Sequence, residues 1–136
     1  MTPIVLDLPV NPIPQGRPRV TFNHRGVHAY KPAPVSGFYE SFRWALKAIG
    51  HKTPIDGPLD VTFRFWRRCR SGANRGDLSN IIKACEDAGN GYIWIDDKQI
   101  IRLTATLESW GPKVNGRIMI EIRHAEGLAK EVNVKT

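Results

Sequence analysis

Leu59, Val61, Phe63 and Phe65 alternate with Asp60, Thr62, Arg64 and Trp66 directly after the turn signal Asp56-Gly57-Pro58, and no other feature constrains the fold as strongly. Only a β-strand sends every second side chain to the same face, so the run specifies a strand with one apolar side. The same period recurs in Ile4, Leu6 and Leu8, in Ile101, Leu103, Ala105 and Leu107, and in Ile118, Ile120 and Ile122. The last two runs flank the turn Gly111-Pro112-Lys113, which predicts a hairpin between them.

Two other stretches carry helical spacing. From Ser36 as N-cap, Phe38, Phe42, Ala45, Leu46 and Ile49 share one stripe until Gly50 ends the run. A second helix starts at Asp77 or Ser79, buries Leu78, Ile81, Ile82, Cys85 and Ala88, and stops at Gly89-Asn90-Gly91. Tyr92 to Ile95 then reads as a short strand or extended piece ending at Asp96-Asp97. Residues 11–35 hold five prolines with Arg17, Arg19, His24, Arg25, His28 and Lys31, which predicts a basic, irregular loop. Residues 124–136 show no persistent pattern and are expected to form a loose tail. These elements amount to one α+β domain over residues 1–123, a small mixed β-sheet with two helices packed against it.

Charge narrows the partners. Twenty Lys and Arg against 13 Asp and Glu give a net charge of +7, which suits a polyanion such as nucleic acid. Cys69 and Cys85 are isolated and form neither a CxxC pair nor a zinc pattern, so reduced thiols are expected. Met1 to Val10 lacks a signal-peptide pattern, and no apolar run reaches the roughly 18 residues of a membrane span, so a cytoplasmic protein is expected. His24 and His28 are four apart, but in a proline-rich loop that spacing does not make a metal site. Trp44, Trp66, Trp94, Trp110 and Tyr92 read first as core or interface and only second as base-stacking platforms.

A few carboxylates interrupt the positive field. Asp77 opens the second helix, Lys83 lies about one and a half turns on, and Asp97 follows once the helix has returned. Taken singly, Asp77 is a cap, and Lys83 with Asp87 is a surface pair worth about 0.3 kcal/mol. Taken together they suit phosphodiester chemistry, because carboxylates repel a bound phosphate unless a divalent cation lies between them.

At these residues the chain resembles a known family. Asp77-Leu78-Ser79-Asn80 with Lys83, Glu86-Asp87-Ala88, Asn90-Gly91 and Asp96-Asp97-Lys98-Gln99-Ile100 is similar to the signature of RusA-type Holliday junction resolvases. Pro14-Gln15-Gly16-Arg17-Pro18-Arg19-Val20 resembles the arginine-bearing entry loop of phage-borne relatives. The resemblance implies a homodimeric, Mg²⁺-dependent endonuclease of the bacterial or phage-infected cytoplasm that nicks four-way DNA junctions symmetrically, Mn²⁺ being a second candidate cofactor. It assigns catalysis to Asp77, Lys83 and Asp97, with Asp77 and Asp97 as metal ligands.

Ser79 departs from the family pattern, which carries a second aspartate there. Ser79 or the Asn80 carbonyl is then the nearer neutral oxygen for the metal. Asp87 lies ten residues beyond Asp77, about 15 Å along the helix, and cannot replace the missing acid. Asp96 is expected to face away from Asp97. Arg17, Arg19, Arg67, Arg68, Arg70 and Arg75 are expected to track the DNA backbone. Two alternatives stand beside the resolvase: a branched-DNA-binding protein impaired in catalysis by Ser79, and a nuclease acting on flaps and other branches.

Overall fold

In the computed structural model, residues 2–16, 19–23, 26–30 and 33–125 are described, those from 19 to 35 through their backbone alone. Arg17, the side chains of Arg19, His24 and His28, and the tail beyond Ala125 lie outside the described residues.

Among the described residues, six strands and two α-helices follow in the order β1 (Ile4–Leu8), β2 (Arg19–Asn23), β3 (Gly26–Tyr30), α1 (Ala33–Ala48), β4 (Leu59–Arg68), α2 (Leu78–Gly89), β5 (Ile100–Gly111) and β6 (Arg117–His124). Four of the strands form one mixed sheet in the order β1-β6-β4-β5, and β2 pairs with β3 in an antiparallel ribbon. The architecture is α+β, with two helices packed against the mixed sheet. No helix among the described residues is long and apolar enough to cross a membrane.

Strand β4 is central because its apolar face is continued by the strands on both sides. Phe65 lies opposite Ile118 and Leu107, Phe63 opposite Ile120 and Ala105, and Val61 opposite Ile122 and Leu103. Leu8, Leu6 and Ile4 extend the same rows from β1 through its pairing with Ile118, Ile120 and Ile122. Phe38, Phe42 and Leu46 of α1 and Ile81, Ala84, Cys85 and Ala88 of α2 close over these rows. Burying each large apolar side chain contributes about 1.5–3 kcal/mol, so the rows and the two helix stripes dominate the stability.

The other face is polar. Arg64 pairs with Glu108 at 2.9 Å and Arg117 with Asp7 at 2.6 Å, while Trp66 lies between the Arg64 and Arg117 guanidinium groups.

Four expectations are corrected. The hairpin of the last two strands does not form: β4 lies between β5 and β6, parallel to one and antiparallel to the other. The turn at Gly111-Pro112-Lys113 therefore crosses the end of β4, because β4 has apolar surface to share on both sides and a hairpin would leave one side bare. The loop of residues 11–35 contains the β2–β3 ribbon, since its prolines flank residues 19–30 without interrupting them. Helix α1 begins at Ala33, ahead of Ser36, because Pro34 in a first turn costs no helical hydrogen bond. Tyr92 to Ile95 makes turns and isolated bridges rather than a strand.

Candidate active site

Helix α2 carries the site, and its two ends behave differently. At the start, Asp77 occupies the N-cap with extended backbone, and its carbonyl accepts from Asn80 and Ile81 at 3.0 and 3.1 Å. Its carboxylate makes no capping bond and is exposed. Ser79, one turn before Lys83, is exposed as well.

At the far end the chain turns sharply to bring Asp97 back against the helix. Gly91 has φ of +81°, a conformation that favours glycine, and Trp94 inserts its fully buried ring beneath. The Trp94 indole Nε1 donates to Asn90 Oδ1 at 3.0 Å and to the Glu86 carbonyl at 3.2 Å. Asn90 then donates from Nδ2 to Asp97 Oδ2 at 3.1 Å.

The motif Asp96-Asp97-Lys98-Gln99 divides its labour. Asp96 caps the short 3-10 turn Asp97–Gln99 by accepting from the Lys98 amide at 2.9 Å. Gln99 Oε1 accepts from the Ile95 and Asp96 amides, and its Nε2 donates to the Ile55 and Gly57 carbonyls at 2.8 Å. Asp96 is thereby spent on the turn, while Asp97 is turned toward α2.

The Asp97 charge acts on both Lys83 and Glu86 there. Burial pushes the Glu86 carboxyl above its ordinary pKa, and the neighbouring Asp97 charge pushes it further. Lys83 is raised chiefly by Asp87, whose Oδ1 lies 3.4 Å from its Nζ, and also by Asp97 and Glu86. Two carboxylates close enough to disturb each other, with an ammonium beside them, form a charge cluster that a divalent cation would relieve. Gln15 joins the entry segment to the same helix, because its Nε2 donates to Asp87 Oδ2 at 3.0 Å and to the Tyr39 hydroxyl at 3.2 Å. Its backbone amide also donates to the Asn80 carbonyl at 3.0 Å.

Asp77 and Asp97 are set by different parts of the chain. Asp97 is bonded to Asn90, the C-cap of α2, and its charge also acts on Lys83, while Asp77 is the N-cap of the same helix. The acid that the fold brings to Asp97 is Glu86. Among the described residues no group of three or more His, Cys, Asp or Glu is arranged to hold a metal ion. A pair of carboxylates still matches the demand of Mg²⁺, which usually takes one or two and completes its shell with water and phosphate oxygens. Glu86 could have been found from the sequence, because it stands three residues after Lys83 and therefore on the same side of the helix.

The arginines separate into two kinds. Arg67, expected on the DNA backbone, is 9% exposed and donates to the carbonyls of Arg75 at 2.7 Å, Pro12 at 2.6 Å and Asn74 at 3.0 Å. Its fork ties two loops together. Arg68 and Arg70 are exposed, and Arg75 lies 4.9 Å from the Trp110 ring centroid.

The chain is similar to an uncharacterized protein, YqaN, of Bacillus subtilis (strain 168), with 30% identity over 112 residues covering 68% of this chain and 78% of that one. A family model described as endodeoxyribonuclease RusA matches residues 9–123, a stretch that begins just after β1 and includes both ends of α2, the Asp96-Asp97 turn, and β4, β5 and β6 of the sheet apart from His124. The chain belongs to the RusA endodeoxyribonuclease family.

Proposed function

We propose that this chain is a divalent-cation-dependent endodeoxyribonuclease that resolves four-way DNA junctions by paired, symmetric nicks. The RusA family match over residues 9–123 carries this reading, and the cluster of Lys83, Glu86 and Asp97 in a basic chain supports it. Glu86 and Asp97 are the residues to hold Mg²⁺, or Mn²⁺ in its place; the ion supplies activation of water and neutralisation of charge on the phosphate. Asn90 holds Asp97 in orientation, and the Lys83 ammonium stabilises negative charge on the phosphate oxygens or the leaving oxygen. Asp77 carries the family-implied aspartate at the other end of the same helix, with its carboxylate unengaged by the helix cap.

Paired nicks require two sites, and the sheet offers a surface for a second copy. Strand β5 is twelve residues long and pairs only with β4 among the described strands, and its Ile101 and Leu103 are 44% and 41% exposed. The reading is therefore of a homodimer joined along β5. Arg68, Arg70 and Arg75 contact the DNA backbone from the loop before α2, with Arg17 and Arg19 contributing from the entry segment.

The test is incision of a labelled four-way junction by wild type and by Asp77→Asn, Lys83→Ala, Glu86→Gln and Asp97→Asn proteins. Asp97→Asn should bind the junction yet cut it at least about a hundredfold more slowly with Mg²⁺. Undiminished cutting by that variant would remove the site from the mechanism. Ser79 in place of the family acid favours a second reading, a branched-DNA-binding protein impaired in catalysis. Binding without nicks across a Mg²⁺ and Mn²⁺ titration, with cutting gained by Ser79→Asp, would select it. Equal cutting of flaps and junctions would instead broaden the substrate. Analytical ultracentrifugation of wild type and Leu103→Lys checks the dimer: a monomeric wild type, or a Leu103→Lys dimer, would exclude the β5 interface.

A further inference from the structure

A separate cleft of about 640 Å³ is formed by one side of α1 and the turn at Gly91 and Tyr92. A volume of this size is in the range of small-ligand sites, about 300–1,000 Å³. Trp44 is 63% exposed and Tyr92 45% exposed, so two aromatic planes that the core does not use face the solvent. Each is accompanied by a cation: Lys47 Nζ lies 5.1 Å from the Trp44 ring centroid, and the Arg43 guanidinium lies 4.4 Å from that of Tyr92. Lys52 adds a third positive charge, and Glu40 is the sole acid in the lining. His51 also lines the cleft, and its Nε2 is shielded from solvent with no hydrogen-bond partner among the described residues, whereas shielded polar atoms are normally paired.

Aromatic planes interleaved with cations are what a nucleotide without a pairing partner requires. A base stacks on a ring regardless of its sequence, its edge brings donors and acceptors, and the phosphates on either side seek positive charge. A duplex base could use the rings only by leaving its own stack. The location fits a branch point, since Tyr39, in the cleft wall, shares the Gln15 side chain with Asp87 of the charge cluster. Tyr92 follows two residues after Asn90, which holds Asp97.

We propose that this cleft is a subsite for one unpaired nucleotide of the DNA substrate, its base stacked on Trp44 or Tyr92 and its phosphates held by Lys47 and Lys52. The proposal rests on the nuclease reading for its substrate class, and its test separates the two. Binding of a fluorescein-labelled single-stranded dT octamer is measured by anisotropy for wild type, Trp44→Ala, Tyr92→Ala, Tyr92→Phe and a Lys47→Glu, Lys52→Glu double variant. In parallel, a four-way junction with 2-aminopurine at the exchange point reports stacking through its fluorescence, and incision of the same junction is followed. Each alanine variant should lose about tenfold in octamer affinity and shift the 2-aminopurine signal toward that of free junction, while Tyr92→Phe keeps both. The double charge reversal should weaken the octamer at least as strongly and flatten its salt dependence.

Wild-type octamer affinity in both alanine variants would overturn the subsite, as would absence of octamer binding by wild type or equal affinity for a duplex octamer. Junction cutting with unaltered octamer binding in the variants would leave the nuclease and remove the cleft. Octamer binding that the variants lose, without any junction cutting, would leave the cleft and remove the resolvase.

Discussion

Asn90 Nδ2 donates to Asp97 Oδ2 at 3.1 Å, and this contact joins the C-terminal cap of α2 to the acid that returns to it. The same side chain accepts from the buried Trp94 indole, so the core itself sets the orientation of the carboxylate. Asn90→Ala should lower stability by about 1 kcal/mol, because the Trp94 Nε1 retains the Glu86 carbonyl as a second acceptor. Junction cutting should fall further than that, about tenfold, once Asp97 is free to rotate. Urea unfolding and single-turnover incision measure the two effects. Equal, small losses in both would show that Asn90 is only a cap.

Glu86 makes stability depend on pH. Burial first and the Asp97 charge second raise its pKa, with Asp87 adding to the effect and Lys83 opposing it. A carboxyl with a higher pKa in the folded than in the unfolded chain binds its proton more tightly when folded, so its contribution to stability falls as pH rises through the ordinary carboxyl range and the raised value. In chelator-treated protein, Glu86→Gln should therefore melt above wild type at neutral pH. The difference should vanish below about pH 4, where Glu86 is protonated in both states. A neutral-pH melting point equal to or below that of wild type would contradict the strained pair.

Arg67 and Arg70 should fail in different assays. Arg67→Ala leaves three loop carbonyls without their donor and should cost about 2–4 kcal/mol in urea unfolding, with Arg67→Lys recovering only part because it lacks the fork. Arg70→Ala should leave stability within about 0.5 kcal/mol and reduce the salt slope of junction binding by about 1. A stable Arg67→Ala protein with a reduced salt slope would reverse the assignment.

Gly89 tests how tightly the returning turn packs. A β-carbon there would lie 2.8 Å from Trp94 Cζ2 and 3.0 Å from Cε2, against a ring with no room to move. Alanine gains about 1 kcal/mol of helix propensity over glycine, but the clash costs about 1–3 kcal/mol and displaces the turn. Gly89→Ala should therefore be neutral or destabilised in thermal unfolding and should lose incision through Asp97. A more stable variant with full cutting would mean that the ring can yield.

Much of the architecture was legible because alternation and helical spacing are local. The rows of Leu59, Val61, Phe63 and Phe65 and the α2 stripe of Ile81, Cys85 and Ala88 are buried as their periods require. The partner of each strand was not legible, since β5 and β6 each have one apolar face and only assembly shows that both pair with β4. Asp97, Lys83 and the motif around them stood in the sequence, and so did Glu86, but nothing local says which acids meet. Arg67 looked like any other member of an arginine run until the loops around it closed.

The sequence by itself determined which faces must be buried, where the helices stop, and that acids and a lysine interrupt a basic chain, because periodicity, turn residues and charge act over a few residues. The tertiary structure alone decided that Asp97 turns back to Asn90 and Glu86. That choice depends on the path from Asn90 to Gln99, which is fixed by a buried indole and by the Gln99 amide bonding to Ile55 and Gly57, residues more than forty positions away.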